Sequence, residues 1–150
     1  MNALPALPML LLMATFCVAE QVPPAELQHK ADEAHGADCV HLSLQAARQS
    51  VEDGAKLFNS GDVQAAYSAL DLSLRYAQRS VDCALESRKA EKSAEIELRR
   101  LVRRLGEIRQ QLDSEERQQL ERPIEELERQ RSRLLLALFG PNGARAEKQP

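Results

Sequence analysis

A chain of 150 residues with 29% charged residues, 3% aromatic residues and no tryptophan has room for one modest domain, or for two small helical units sharing an element. That composition argues against a thick globular core and suits solvated helices joined along narrow apolar seams. The net charge of −3 selects no class of partner.

The first element, residues 1–19, reads as a signal peptide. Leu7 to Val18 carries no charge, and Cys17-Val18-Ala19 places residues small enough for signal peptidase at both key positions. No Lys or Arg precedes this run, and it contains Pro8 with Pro5 just before it. It falls short of the ~20 apolar residues that a membrane span needs, so cleavage near Ala19 and no membrane span are expected. Export changes how the cysteines read. Cys17 leaves with the signal, and the mature chain keeps Cys39 and Cys83, an even pair in a secreted or periplasmic, oxidising compartment. A disulfide between them is the default.

Residues 20–37 read as a leader and a short N-terminal helix. Glu20 to Pro24 is extended, and Ala25 to Ala34 has helical composition with few apolar anchors (Leu27, Ala31, Ala34). Gly36 interrupts this helix, and Asp38 is placed to cap a fresh one. Residues 38–139 then carry the helical-hairpin bundle. Val40, Leu44, Ala47, Val51, Gly54/Ala55 and Phe58 mark one helix face, and Asn59-Ser60-Gly61-Asp62 is a stop followed by a new N-cap. From Asp62 to Leu112 there is no proline and one glycine, Gly106. Val63, Tyr67, Leu70, Leu74, Ala77 and Val81, then Leu98, Leu101, Leu105, Ile108 and Leu112, recur at spacings of four and three. Unbroken, that stretch is a rod of ~75 Å.

In an antiparallel helix pair the position numbers of facing residues have a constant total. Phe58 with Val63, Val51 with Leu70, Ala47 with Leu74, Leu44 with Ala77 and Val40 with Val81 keep one such total, which predicts a hairpin in register. Cys39 and Cys83 lie at the same height along it, and both step back from the main stripe by roughly a third of a turn. Bonding them turns the contact toward a second stripe (Leu42, Ala46, Leu72, Tyr76). It frees Val40, Leu44, Leu74 and Val81 to face a third helix or a partner. Closing a loop of about 44 residues is worth ~4 kcal/mol on the chain-entropy argument.

Beyond the charged segment Glu86–Ala94 the pattern repeats. Asp113-Ser114-Glu115-Glu116 reads as a loop with a capping box, followed by Leu120, Ile124, Leu127, Leu134 and Leu138 at helical spacing. Leu112 with Leu120, Ile108 with Ile124, Leu105 with Leu127 and Leu98 with Leu134 share a second constant total, with Arg131 opposite Leu101 as the one break. Pro123 falls early in this last helix, Phe139-Gly140-Pro141 ends it, and residues 140–150 read as a disordered tail. The fold expected is all-α: antiparallel helical hairpins sharing a long central helix, as a rod or a compact four-helix bundle. A two-helix rod leaves Leu72, Leu85, Ile96, Val102, Leu135 and Leu136 outside its seams, which favours folding at the charged middle or self-association.

The chemistry-bearing residues are few. His29, His35 and His41 cluster with Asp38 and Cys39, which leaves a metal-binding helical module as a distant alternative, but their spacing matches no zinc motif and a disulfide consumes the thiol, so no metal or cofactor is expected. Arg99, Arg100, Arg103 and Arg104 form a basic run flanked by Glu95, Glu97 and Glu107, with no aromatic residues interleaved for base stacking. It reads as a solvated helix face paired with Glu121, Glu125, Glu126 and Glu128 of the last helix, Arg104 near Glu128 and Arg109 near Glu121, and not as a nucleic-acid site. No nucleophile–base pair, carboxylate pair or phosphate loop stands out, and catalysis is not expected.

Two short segments resemble known families. Gly61-Asp62-Val63-Gln64-Ala65-Ala66 resembles the turn between the helices of a tetratricopeptide repeat; it covers half a repeat, once. Leu112-Asp113-Ser114-Glu115-Glu116 is similar to the LTxxQ motif of periplasmic stress chaperones, with Asp113 for Thr and Glu116 for Gln. That resemblance implies a small exported helical-hairpin dimer that holds unfolded clients. The residues themselves point to an exported, non-enzymatic protein making protein–protein contacts along helix faces, with a homodimer or another helical protein as partner.

Overall fold

The computed structural model describes residues 23–140, so the expected signal peptide and all of the expected tail but Gly140 lie outside it. The described residues form six helices and no strand: α1 (Pro24–Glu33), α2 (Gly36–Ser60), α3 (Val63–Ser87), α4 (Glu91–Gln111), α5 (Ser114–Gln119) and α6 (Glu121–Phe139).

Proline opens α1 at its first position, where the missing N–H has no intrahelical role. The helix ends on Arg79, whose Nε donates to Ala31 O at 3.0 Å and whose Nη2 donates to Asp32 O at 2.7 Å and Ala34 O at 3.4 Å. A guanidinium placed on the last carbonyls satisfies orphan acceptors and meets the negative end of the helix dipole. The next helix starts at Gly36, two residues before the expected cap. Extended His35 precedes it, and Asp38 lies in its first turn, where a carboxylate still favours the positive end.

The first hairpin turns where the sequence expects it. Gly61 takes φ 83°, its N–H donates to Phe58 O and that of Asp62 to Leu57 O, both at 3.0 Å. This is a Schellman turn, which needs the left-handed residue that glycine supplies without steric cost. Asp62 then accepts from Ala65 N–H at 3.2 Å and starts α3. Cys39 and Cys83 form a disulfide with Cα atoms 6.1 Å apart, Cys39 buried and Cys83 half-buried. As the matched height implied, both stripes of this hairpin are used. Val40, Leu44, Val51, Leu70 and Val81 enter the common core, while Leu27 and Ala31 of α1 are buried with Ala46 and Tyr76 of the second stripe. Tyr76 Oη reaches Gln28 O (3.4 Å) and Asp32 Oδ2 (3.3 Å), tying α1 to α3.

The central stretch is not one rod. It breaks at Arg88-Lys89-Ala90, where Arg88 (φ 54°) and Ala90 (φ 59°) are both left-handed. No glycine or proline marks this site. The break follows from tertiary gain, because it lets the second hairpin fold back and bury both apolar seams in one core. The return segment is also divided. Asp113 accepts from Glu115 N–H (3.1 Å) and Glu116 N–H (2.9 Å) to start α5, and the helix resets at Leu120, just before Pro123. Proline cannot donate to Gln119 O, four residues back, which accounts for the division.

The result is a four-helix bundle with α1 laid on its flank. Around the bundle, α2 packs on α3 and α4, and α6 packs on α3 and α4. Sequential hairpin partners are antiparallel, while α2/α4 and α3/α6 are parallel neighbours. One ion pair ties each parallel couple: Arg104 of α4 reaches Glu52 of α2, 52 residues back, and Arg133 of α6 reaches Asp82 of α3, 51 back. Leu98, Leu101, Leu105, Ile108, Leu120, Leu127 and Leu134 complete the core. Each such leucine contributes roughly 1.5–3 kcal/mol by leaving water. Of the residues outside the primary seams, Leu72, Leu85 and Val102 pack against this core, whereas Ile96 (43%) and Leu136 (70%) stay exposed. No described helix is long and apolar enough to cross a membrane.

Candidate functional site

The histidines are not brought together. His29 Nδ1 lies 3.3 Å from Glu33 Oε2 on the exposed face of α1, His35 is exposed ahead of α2, and His41 lines a shallow groove with Arg48 and Glu97. The Cys39 sulfur is bonded to Cys83 and has Ser43 Oγ at 4.0 Å. Among the described residues no group of three or more His, Cys, Asp or Glu side chains is placed to hold a metal ion.

Three arginines of the basic run, Arg99, Arg100 and Arg104, are engaged in ion pairs, with partners other than the α6 glutamates expected. Arg104 does not meet Glu128. It forms a two-pronged pair with Glu52 of α2, Nε–Oε1 2.7 Å and Nη2–Oε2 2.8 Å, and a third contact to Glu107 at 3.3 Å. The cause is the direction in which its side chain leaves α4, toward the parallel neighbour α2 and away from α6. Arg100 pairs with Glu97 on its own helix. Arg109 meets Glu121 at 3.4 Å, as the register of the second hairpin predicts.

The residue that breaks the second seam, Arg131, has a structural role that sequence reading missed. Its Nε donates to Glu95 Oε1 at 2.7 Å and its Nη1 to Glu128 Oε2 at 3.1 Å, while Arg99 Nη2 holds Glu95 Oε2 at 2.6 Å. Glu95 is only 5% exposed. Two guanidiniums on one buried carboxylate satisfy it with charge-assisted hydrogen bonds. The bonds from Arg99 and Arg131 hold the Glu95 carboxyl below its ordinary range, and the bond from Arg104 does the same for Glu52. The same contacts push Arg104 and Arg131 upward. A signal was present in the sequence: a lone arginine in a leucine seam calls for a carboxylate within reach on the facing helix, here six residues along α4 from Leu101.

A groove of about 410 Å³ lies between α3 and the α5–α6 return. Tyr67, Leu70 and Leu74 supply its apolar floor, and Gln64, Asp71, Gln118, Gln119 and Arg122 its polar rim. The Tyr67 ring stands edge-on to Phe58, centroids 5.4 Å apart, and its hydroxyl is buried with no hydrogen-bond partner among the described residues. Burial raises its pKa, with further pressure from Glu116, Asp113 and Glu115 around the α4–α5 turn. The phenol therefore stays neutral and keeps its proton to donate. An unpaired buried hydroxyl costs the fold about 1–3 kcal/mol.

Compared with protein-family models, with curated proteins and with solved structures, the chain matches none.

Proposed function

We propose that this chain is an exported, non-enzymatic helical protein that works by protein–protein contact, with the α3/α5–α6 groove as its contact site. The observation that carries the reading is the lining of this groove, an apolar floor of Tyr67, Leu70 and Leu74 inside an amide-rich rim of Gln64, Gln118 and Gln119. Protein interfaces share that composition, an apolar centre holding an aromatic anchor inside a polar edge. The ion pairs of Glu52 with Arg104 and of Glu95 with Arg131 join helices to one another and lie outside the groove. Export is supported by the charge-free run of Met1–Ala19 and by the Cys39–Cys83 bond, which belongs to an oxidising compartment.

The test is site-specific photo-crosslinking in the exporting cell. A benzophenone side chain at Gln119, on the groove rim, is expected to give one adduct of discrete mass, weakened by Leu74→Gln in the groove floor. The same group at exposed Lys56 on α2 serves as the control. Identical patterns from the two positions would remove the groove as the contact site. A second reading, a holdase for unfolded clients, draws on Leu136 and Phe139, which stand 70% and 74% exposed near the end of α6. That reading requires suppression of client aggregation, lost in Leu136→Ser with Phe139→Ser.

A further inference from the structure

We propose that the α3–α4 turn is a hinge that opens into a continuous helix, so that two copies of this chain exchange their α4–α6 halves and form a swapped dimer. Three observations converge on it. The turn holds two non-glycine residues, Arg88 and Ala90, at φ 54° and 59°, a conformation that L-residues with a Cβ adopt at a cost. The sequence across it, Glu86-Ser87-Arg88-Lys89-Ala90-Glu91-Lys92, contains no breaker and is rich in strong helix formers. Local preference therefore favours the open form, and only the return of the second hairpin onto the first holds the turn closed. A short, strained connection between two units that pack on each other is the arrangement that invites exchange between copies.

The covalent layout permits the exchange. The disulfide joins Cys39 to Cys83, both on the N-terminal side of the hinge, so no bond ties one half of the molecule to the other. The contacts that cross between halves are noncovalent: Glu52 with Arg104, Asp82 with Arg133, and the shared apolar core. Every one of them is remade between copies when α3 and α4 straighten into a helix of ~70 Å and two such chains lie antiparallel. The exchanged dimer keeps the closed form's packing and loses its two strained turns.

One position reports in both directions. Ala90→Gly relieves the closed turn and weakens the open helix, whereas Ala90→Val strains the closed turn further, since a β-branched residue at positive φ is an outlier. Full-chain protein is refolded at low and at high concentration with its disulfide intact, then analysed by light scattering. Wild type is expected to form a concentration-dependent dimer. Ala90→Gly should raise the dimer dissociation constant on the order of 100-fold, because the effect acts in both chains. Ala90→Val should lower it.

Fluorophores on non-cysteine handles at Asn59 and Gln111 then separate exchange from simple docking. The α2/α4 register puts these positions at the same end of the closed bundle and at opposite ends of the open chain. In a dimer with one labelled chain per unlabelled partner, energy transfer within the labelled chain should collapse relative to the monomer. A dimer that keeps high transfer, or a wild type that stays monomeric at every concentration, overturns the proposal. Should Ala90→Val fail to fold, wild type and Ala90→Gly decide the matter alone.

Discussion

The α2–α3 hairpin closes on small side chains and a covalent bond, whereas the α4–α6 hairpin closes on leucines and arginine–glutamate pairs. Helix α2 buries Ser43, Ala47, Ser50 and Gly54, and α3 buries Ala66, Ser73, Ala77 and Ser80. A Cβ placed on Gly54 would stand 3.2 Å from Leu70 Cδ2 and 3.4 Å from Ala66 O, so the two backbones approach closely there. The second hairpin buries Leu98, Leu101, Leu105 and Ile108 with Leu120, Leu127 and Leu134, and carries Glu95 between two arginines on its flank. Small residues let helices meet backbone to backbone, while large ones hold them apart and fill the gap. The first hairpin should therefore answer to reductant, and the second to acid and to core truncation.

The largest effect is expected where a charge enters the second seam. Leu105→Asp puts a carboxylate at a fully buried position and should destabilise by several kcal/mol, enough to unfold a marginal domain. Circular dichroism melts check this, and a melt that barely moves would show that the seam is not buried. Leu70→Asp, at the closest approach of α2 and α3, should be as damaging.

Breaking the covalent side of the comparison comes next. Cys39→Ala with Cys83→Ala, or reduction, should cost about 3–4 kcal/mol, from the 44-residue separation that the bond closes. The loss should exceed anything reductant does to a fragment lacking this hairpin. Mass spectrometry of unreduced exported protein should find the chain two hydrogens light, and two freely alkylated thiols would contradict the bond.

The hairpins were legible in the sequence because antiparallel seams leave a constant total that propensities alone do not. Val51 with Leu70 and Leu105 with Leu127 report register through their position numbers. The parallel pairings were not legible, since they depend on how the two hairpins dock. Glu52 with Arg104 and Asp82 with Arg133 are set by a fold-back across Arg88–Ala90, and nothing local announces that turn. For the same reason α1 looked weakly anchored: its C-terminal carbonyls are held by Arg79, more than forty residues away. In the groove, Tyr67 read as one more member of the apolar stripe, and its free hydroxyl became apparent only with the α5–α6 return in place.

Acid sharpens the comparison at a smaller scale. The Glu95 pKa is depressed in the fold, so its contribution is fully present above the unfolded value of about 4.3 and is lost as pH falls through the folded value. Glu52 follows the same sign. Glu95→Gln should cost about 2 kcal/mol at neutral pH by weakening two charge-assisted bonds. Lowering the pH below the usual carboxylate range should then destabilise wild type more than the variant. Parallel slopes for the two proteins would mean that Glu95 is not the group responsible.

The smallest effect belongs to the pair that joins the hairpins. Arg104 and Glu52 are both partly exposed, with side chains 36% and 41% accessible, so two-pronged geometry is set against solvent screening. Arg104→Ala should cost ~0.5–1 kcal/mol and the difference should shrink as salt is added. Glu52→Ala should match it, and the double variant should lose little more than either alone, since the partners act as one unit. The same residues discriminate a structural run from a nucleic-acid patch. If Arg99, Arg100, Arg103 and Arg104 bound a polyanion, a low-salt gel-shift titration would show saturable binding that falls steeply with salt and vanishes in Arg100→Glu with Arg104→Glu. With Arg99 on Glu95, Arg100 on Glu97 and Arg104 on Glu52, only Arg103 of the run is left outside an ion pair among the described residues, and no shift is expected. The double variant should instead lower the melting temperature slightly, because Glu52 would then face a second carboxylate.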